Sequence, residues 1–422
     1  MRLIMTVVFS LLLAATLSLI VTANDEKKSS LLAAEVQVPH ESSERVSRLR
    51  FLAIGDWGGQ NDPPYYTKVQ WETAKGMAKV AVGHTSGVLD DDVDNNTESR
   101  PAASFVLSLG DNFYPGGLSS NDEQSQMRFE ETFDKVYSHP NLQVPWYVLA
   151  GNHDKCGDIT QQLKKNHRWN FPSLNYRIVQ ELAIDEHSPA LKIEILIIDT
   201  VQLAGNLLCP ASEDDNIMLE EEFFESPTPP ELTNDEESIN QAHTTLKWIE
   251  AALEKSDADY LLVAGHYGIY SPCSHGNNPH LVKTLDPLLS KYGVTAYLSG
   301  HDHCQFQFAN ENMNYVLSGA GAYCCYGSKK ATNLPTGGDL KFLHADTYDY
   351  SGTSKFIHNK EDDGDDYSGK ITGGFLSFDV DRDSMLLTFH RENGNTLHES
   401  RLLPRDNRFK LRMRENAVVQ VE

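Results

Sequence analysis

The sequence predicts an α/β protein, a four-layer α/β/β/α sandwich in which two mixed sheets pack together and helices flank them. Three observations carry this. Short apolar runs recur as far as His303, and several end in Gly followed by Asp, Asn or His. Stretches with helical spacing separate the runs. After His303 the pattern changes to short alternating segments joined by turn residues, expected to form an antiparallel half.

Taken in order, residues 1–23 read as a secretory signal. Arg2 precedes an apolar run from Leu3 to Val21, and Val21-Thr22-Ala23 offers small residues for cleavage. The run is almost long enough to span a bilayer as an anchor. The adjoining small residues favour cleavage, and no stable membrane insertion is expected afterwards. Residues 24–48 are polar, mixed in charge and without periodicity, as in a linker or propeptide. A catalytic domain is expected over 49–405, with a tail at 406–422. Arg50 to Ile54 is a strand that ends at Gly55-Asp56. Trp71, Ala74, Ala78, Ala81 and Val82 then share one helical face. Residues 105–109 form the strand before Gly110-Asp111-Asn112-Phe113-Tyr114, and 124–137 read as helix. Val144 to Ala150 runs into Gly151-Asn152-His153-Asp154, and a mixed helical stretch leads to Arg168. Strands are expected near 174–179 and 191–199, then a helix marked by Leu246, Ile249 and Leu253. Tyr260 to Ala264 delivers Gly265-His266. A helix near 280–291 precedes Val294 to Leu298, which delivers Gly300-His301-Asp302-His303. Further strands are expected near 305–308, 314–318, 373–380, 385–391 and 396–402. Residues 212–238 hold eleven acidic residues and no Lys or Arg, and 345–372 are also polar and acidic. Both read as solvated insertions.

The chain has 422 residues, 36 basic and 60 acidic, for a formal net charge of -24. Such a surface disfavours nucleic acid. A small anionic substrate remains compatible, because bound metal ions dominate a local field. Six cysteines, Cys156, Cys209, Cys273, Cys304, Cys324 and Cys325, lack zinc-type spacing. In a secreted chain some should pair, with a connectivity that sequence leaves open. Asn95-Asn96-Thr97 is the single glycosylation sequon.

A strand that stops at Gly-Asp puts its carboxylate at the C-terminal edge of the sheet, where open α/β sheets bind ligands. Each such stretch alone is a turn or a satisfied histidine. His301-Asp302-His303 is stronger, because alternate residues on an extended segment can serve two neighbouring metals. Together the stretches supply carboxylate, phenolate, amide and imidazole, enough to hold two metal ions.

The order of GD, GDNFY, GNHD, GHY and GHDH resembles the metallophosphoesterase superfamily, with its calcineurin-like fold. More narrowly it resembles the purple acid phosphatases, above all the small mammalian-type, tartrate-resistant ones. Residues 144–154, 168–173, 292–298 and 315–321 extend the likeness, which covers roughly 48–405; the insertions at 84–102, 212–238 and 345–372 fall outside it. The resemblance implies that Asp56, Tyr114 and His303 hold Fe(III). It implies that Asn152, His266 and His301 hold a divalent ion (Fe(II), Zn or Mn), and that Asp111 bridges the two. Phenolate and carboxylate are hard donors suited to Fe(III). An activated hydroxide would attack the phosphorus of a phosphomonoester or phosphoprotein, while His153 or His275 protonates the leaving group. The implied protein is a monomeric acid phosphatase, secreted or delivered to a vacuole or lysosome. A phosphodiesterase or nucleotide hydrolase on the same scaffold is the alternative, as is a non-hydrolytic iron-binding protein. Two positions depart from the family pattern. Ser274 stands where an acidic residue precedes the histidine matching His275. His280 stands where a cysteine precedes Leu-Val-Lys, so Cys209, which matches its partner, is left to pair with Cys273 or stay free.

Overall fold

A computed structural model describes residues 34–37, 48–83, 102–165, 167–183, 189–205, 236–310, 313–325, 327–328, 330–345 and 372–405. The signal segment, Asn95, Cys209, the tail and most of both acidic insertions lie outside these residues.

The first strands are β1 (Ala34–Gln37), β2 (Leu49–Ile54), β3 (Phe105–Ser108), β4 (Trp146–Val148), β5 (Trp169–Asn170), β6 (Tyr176–Leu182) and β7 (Leu191–Ile197). They are followed by β8 (Tyr260–Ala264), β9 (Ala296–Ser299), β10 (Gln305–Asn310), β11 (Met313–Ser318) and β12 (Asp339–His344). The last are β13 (Gly374–Val380), β14 (Met385–Arg391) and β15 (Thr396–Leu402). One sheet has seven strands in the order β15-β14-β13-β2-β3-β4-β5, and the other has eight in the order β1-β6-β7-β8-β9-β11-β10-β12. Strands β2 to β5 are parallel, as are neighbours within β7-β8-β9-β11.

The expected antiparallel half does not exist as one body. Strands β10 to β12 extend the eight-stranded sheet, whereas β13 to β15 extend the other, with β13 antiparallel to β2. Each sheet therefore has a parallel portion and an antiparallel margin. Residues 34–37, expected as linker, pair in parallel with β6. The short strands β5 and β12 were not foreseen. The helix expected near 280–291 is two, Pro279–Thr284 and Asp286–Lys291. Pro287 has no N–H to donate, which accounts for a break there.

The apolar runs follow from burial on both faces. Along β7, Ile193, Ile195 and Ile197 join a core shared with Phe51, Leu107 and Phe378 of the other sheet. The intervening Leu196, with Ile198, joins a second core containing Ile249, Leu253, Leu281 and Leu289 from helices. This is the two-residue period of a strand, apolar on both faces toward its end because each face meets a layer, with Lys192 and Glu194 as the charged exceptions. Full burial of such a side chain is worth about 1.5–3 kcal/mol.

Local chemistry sets the helix starts. Thr67 opens the helix Lys68–Val80 by accepting from the Gln70 backbone N–H at 3.0 Å. Asn121 caps Asp122–Phe129, and Asp199 caps Thr200–Ala204. Each side-chain oxygen satisfies a backbone donor that the helix cannot.

Candidate metal centre

Register aligns the ends of the parallel strands. Ile54 lies opposite Ser108, Ser108 opposite Val148, and Ala264 opposite Leu298. The loops that follow bring Asp56, Asp111 and Asn152 from one sheet together with His266, His301 and His303 from the other. Asp56, Asp111 and His301 adopt positive φ of 58°, 51° and 72°. Non-glycine residues avoid this region, and such strain concentrates at functional sites. Gly151 packs so tightly that an added Cβ would lie 2.0 Å from Asp111 Oδ1.

Two donor sets form. In the first, the Tyr114 hydroxyl lies 3.1 Å from Asp56 Oδ1 and 3.0 Å from His303 Nε2. In the second, His266 Nε2 lies 3.1 Å from Asn152 Oδ1, and donor atoms of Asp111, His266 and His301 all fall within 4.8 Å of one another. Asp111 Oδ2 belongs to both sets, 3.3 Å from the Tyr114 hydroxyl and 3.2 Å from His266 Nε2. All seven residues expected to hold metals thus meet in one place.

His266 Nδ1 lies 2.8 Å from the Leu109 carbonyl, which can only accept. That nitrogen therefore carries a proton, and Nε2 is turned to Asp111 and Asn152. Burial alone would raise the Asp111 carboxyl, but His266 and then His153 hold it well below the carboxylate range. Burial would lower His266, yet Asp111 raises it to about 9. The two buried groups thus favour each other's charged form across 3.2 Å. Desolvation, then the neighbouring imidazoles, hold His301 and His275 well below the ordinary histidine range. A neutral imidazole is the form that binds metal.

The two histidines expected to donate protons occupy different positions. His153 packs edge-on against Tyr114, ring centroids 4.7 Å apart, with Nε2 4.0 Å from Asp111 Oδ2. Its Nδ1 meets the Pro115 carbonyl. His275 stacks on His301, centroids 3.9 Å apart.

The supporting residues were not identified from sequence. Trp57 Nε1 donates to Ser108 Oγ at 2.8 Å, which donates to Asn112 Oδ1 at 2.5 Å. Asn112 Nδ2 donates to Asp154 Oδ2 at 3.1 Å, and Asp154 also accepts from Gly151 N at 2.8 Å and Gln162 Nε2 at 2.8 Å. Burial, then Asp111, raises the Asp154 carboxyl to about 6 despite these donors. Asn112 and Asp154 stand inside motifs already singled out, which was the available signal. Gln162 carried none.

Cys273 pairs with Cys304 and Cys324 with Cys325, while Cys156 is also disulfide-bonded. The Cys273–Cys304 bond overturns the possible pairing of Cys273 with Cys209. The pairing links segments that periodicity cannot relate.

A family model described as calcineurin-like phosphoesterase matches residues 49–305. Tartrate-resistant acid phosphatase type 5 of Oryctolagus cuniculus is 36% identical over 84% of this chain and 90% of its own length. The Homo sapiens protein of the same name is 34% identical over 88% and 96%. Among solved structures, "GAP50 the anchor in the inner membrane complex of Plasmodium" superposes with a TM-score of 0.60 at 19% identity, covering 88% of this chain and 95% of that one. That likeness is one of fold. The family match, the two relatives and the convergent donor sets lead to one conclusion: the chain belongs to the calcineurin-like phosphoesterases and, within them, to the tartrate-resistant purple acid phosphatases.

Proposed function

We propose that this acid phosphatase hydrolyses phosphomonoesters at a dinuclear centre. Asp56, Tyr114 and His303 would hold Fe(III), Asn152, His266 and His301 a divalent ion (Fe(II), Zn or Mn), and Asp111 both. The observation that carries this reading is Asp111 Oδ2, within 3.3 Å of the Tyr114 hydroxyl and 3.2 Å of His266 Nε2. One carboxylate is thereby common to two donor sets. The donor atoms of Asp111, His266 and His301, within 4.8 Å of one another, support the fit of a cation there. Hard oxygen donors around Tyr114 suit a trivalent ion, and imidazole with amide suits a divalent one.

Two adjacent ions, when bound, supply charge neutralisation on the phosphate and acidify water into a nucleophile at low pH. The chain does the rest. His266 is aimed by the Leu109 carbonyl, and Tyr114 is fixed between Asp56 and His303. His153 has its Nδ1–H on the Pro115 carbonyl, so its Nε2 faces the site, and as an imidazolium it would give the Nε2 proton to the departing ester oxygen and return to the neutral ring. His275, kept neutral, forms a wall over His301 rather than a second acid.

The apolar run at Leu3–Val21 supports signal cleavage and passage through the secretory pathway, outward or to a vacuole or lysosome. The disulfides suit that oxidising route. Among the described residues, no helix is long and apolar enough to cross a membrane. Glycosylation at Asn95, a monomeric state and indifference to nucleic acid belong to the same reading.

The test is the visible spectrum and metal content of purified, air-oxidised protein, with turnover of an aryl monoester and a diester. A broad visible band, two metals and preference for the monoester are expected. A metal-loaded protein that turned over no monoester would overturn the proposal.

A further inference from the structure

Between β8 and the helix at Pro279, residues Gly265 to Asn278 form neither strand nor helix. A loop of this length is costly to order and is held only where specific contacts fix it. Its far part is closed by a bond from the Asn278 backbone N–H to the Ile269 carbonyl at 3.0 Å. Within that closure, alternate residues touch the segment that carries His301 and His303. Ser271 Oγ donates to Asp302 Oδ2 at 2.6 Å. Cys273 is bonded to Cys304. The His275 backbone N–H donates to the same Asp302 oxygen at 3.1 Å, and the His275 ring lies on His301.

One side of this seam is fixed at a sheet end. Cys304 directly precedes β10, donates to the Asp302 carbonyl at 2.7 Å and accepts from Gly319 N–H at 3.1 Å. Both cysteines are fully buried. A cross-link to a residue embedded at a sheet end transfers the sheet's rigidity to the loop.

We infer that the Cys273–Cys304 disulfide, assisted by Ser271 and Asp302, is a positioning device that holds His275 against His301 as the substrate-facing wall of the site. The disulfide contributes no group to the chemistry. It acts through His275, and this rests on the phosphatase reading above.

The experiment is a cycle of four full-length, metal-loaded chains: the unchanged protein, Cys273→Ala/Cys304→Ala, His275→Ala, and the three changes together. Each is measured for kcat and KM with an aryl phosphate, for affinity toward inorganic phosphate, and for metal content. Removing the disulfide should lower kcat/KM by about 10–100-fold, as expected for a group that orients the site from behind. Metal content should stay unchanged. With His275 already Ala, the same removal should cost no more than about twofold, the limit expected when the two changes share one route. Equal losses in both backgrounds would make the disulfide a mere structural brace and overturn the inference, as would no loss in either. Should the cysteine variant fail to fold, Ser271→Ala keeps the bond. It should cost about fivefold, roughly one hydrogen bond, and only while His275 is present. If the unchanged chain hydrolyses no phosphate ester, the phosphatase reading falls by itself. The coupling is then read in phosphate affinity, where its absence would overturn the positioning role separately.

Discussion

The seven-stranded sheet contributes Asp56, Asp111, Tyr114 and Asn152 through tight loops, braced from below by Trp57, Ser108, Asn112, Asp154 and Gln162. The eight-stranded sheet contributes His266, His301 and His303, and its long loop is braced by a covalent bond. The difference follows from charge. Carboxylates crowded together repel, and burial penalises each, so their wall needs donors at fixed positions. Neutral amides of Asn112 and Gln162 supply them without adding charge. On the other wall, His301 and His275 are kept neutral by desolvation and stack without repulsion, so that pair needs only to be held in place. One wall is built by satisfying polar atoms, the other by limiting motion. The Lys155–Asp199 ion pair, nearly buried, ties the two walls together.

The largest effect should come from the group both walls share. Asp111→Ala should lose both metals and bring turnover below detection, measured by metal analysis and aryl phosphate hydrolysis. In the metal-free protein it leaves His266 without its counter-charge, at a cost of about 3–5 kcal/mol in unfolding free energy. Retention of both metals would remove Asp111 from the bridging role and separate the two walls.

Next comes the polar brace. Asp154→Ala leaves buried donors of Asn112, Gly151 and Gln162 without their acceptor. It should cost about 3 kcal/mol in urea unfolding. Turnover should fall about 10–100-fold through misplacement of Asp111 and Asn152. An effect near zero would mean that the carboxylate wall, like the histidine wall, is held by something other than hydrogen bonds.

Tyr114→Phe tests the same wall from within. Its hydroxyl has partners in Asp56, Asp111 and His303, so its loss should cost about 1 kcal/mol of stability. The visible band should vanish while hydrolysis persists. A band that survived would detach Tyr114 from the iron.

How much of this was legible in the sequence follows the same division. Strands β2, β3, β4, β8 and β9 were readable because each is an apolar run closed by a ligand-bearing turn, and motif and position coincide. The assignment of β10 to β12 and β13 to β15 to different sheets was not. Alternation tells which face a side chain takes, but not which sheet edge a strand joins. Asp339–His344 alternates only as far as Phe342. Local motifs likewise displayed Asp56, Asp111, Tyr114, Asn152 and the three histidines. They could not display Gln162, whose partner Asp154 is on the neighbouring helix, or the Cys273–Cys304 bond, which joins residues 31 apart.

The smallest predicted effect concerns the outside of the histidine wall. Lys330 Nζ donates to the His275 carbonyl at 3.3 Å, a contact separate from those of Asp302 and the disulfide. If the wall is held from within, this contact is redundant. The His275 backbone N–H keeps its bond to Asp302, and Cys273 stays attached to Cys304. Lys330→Met retains the aliphatic stem that packs near Gly276 and removes only the donor. It should change kcat and KM by no more than about twofold, the range of ordinary surface substitutions. A tenfold rise in KM at constant kcat would mean that the ammonium itself attracts the phosphate ester. A tenfold fall in kcat would mean that the loop is positioned from outside. In that case the contrast between a wall of satisfied polar atoms and a wall of restrained motion would fail, because both would depend on a polar donor.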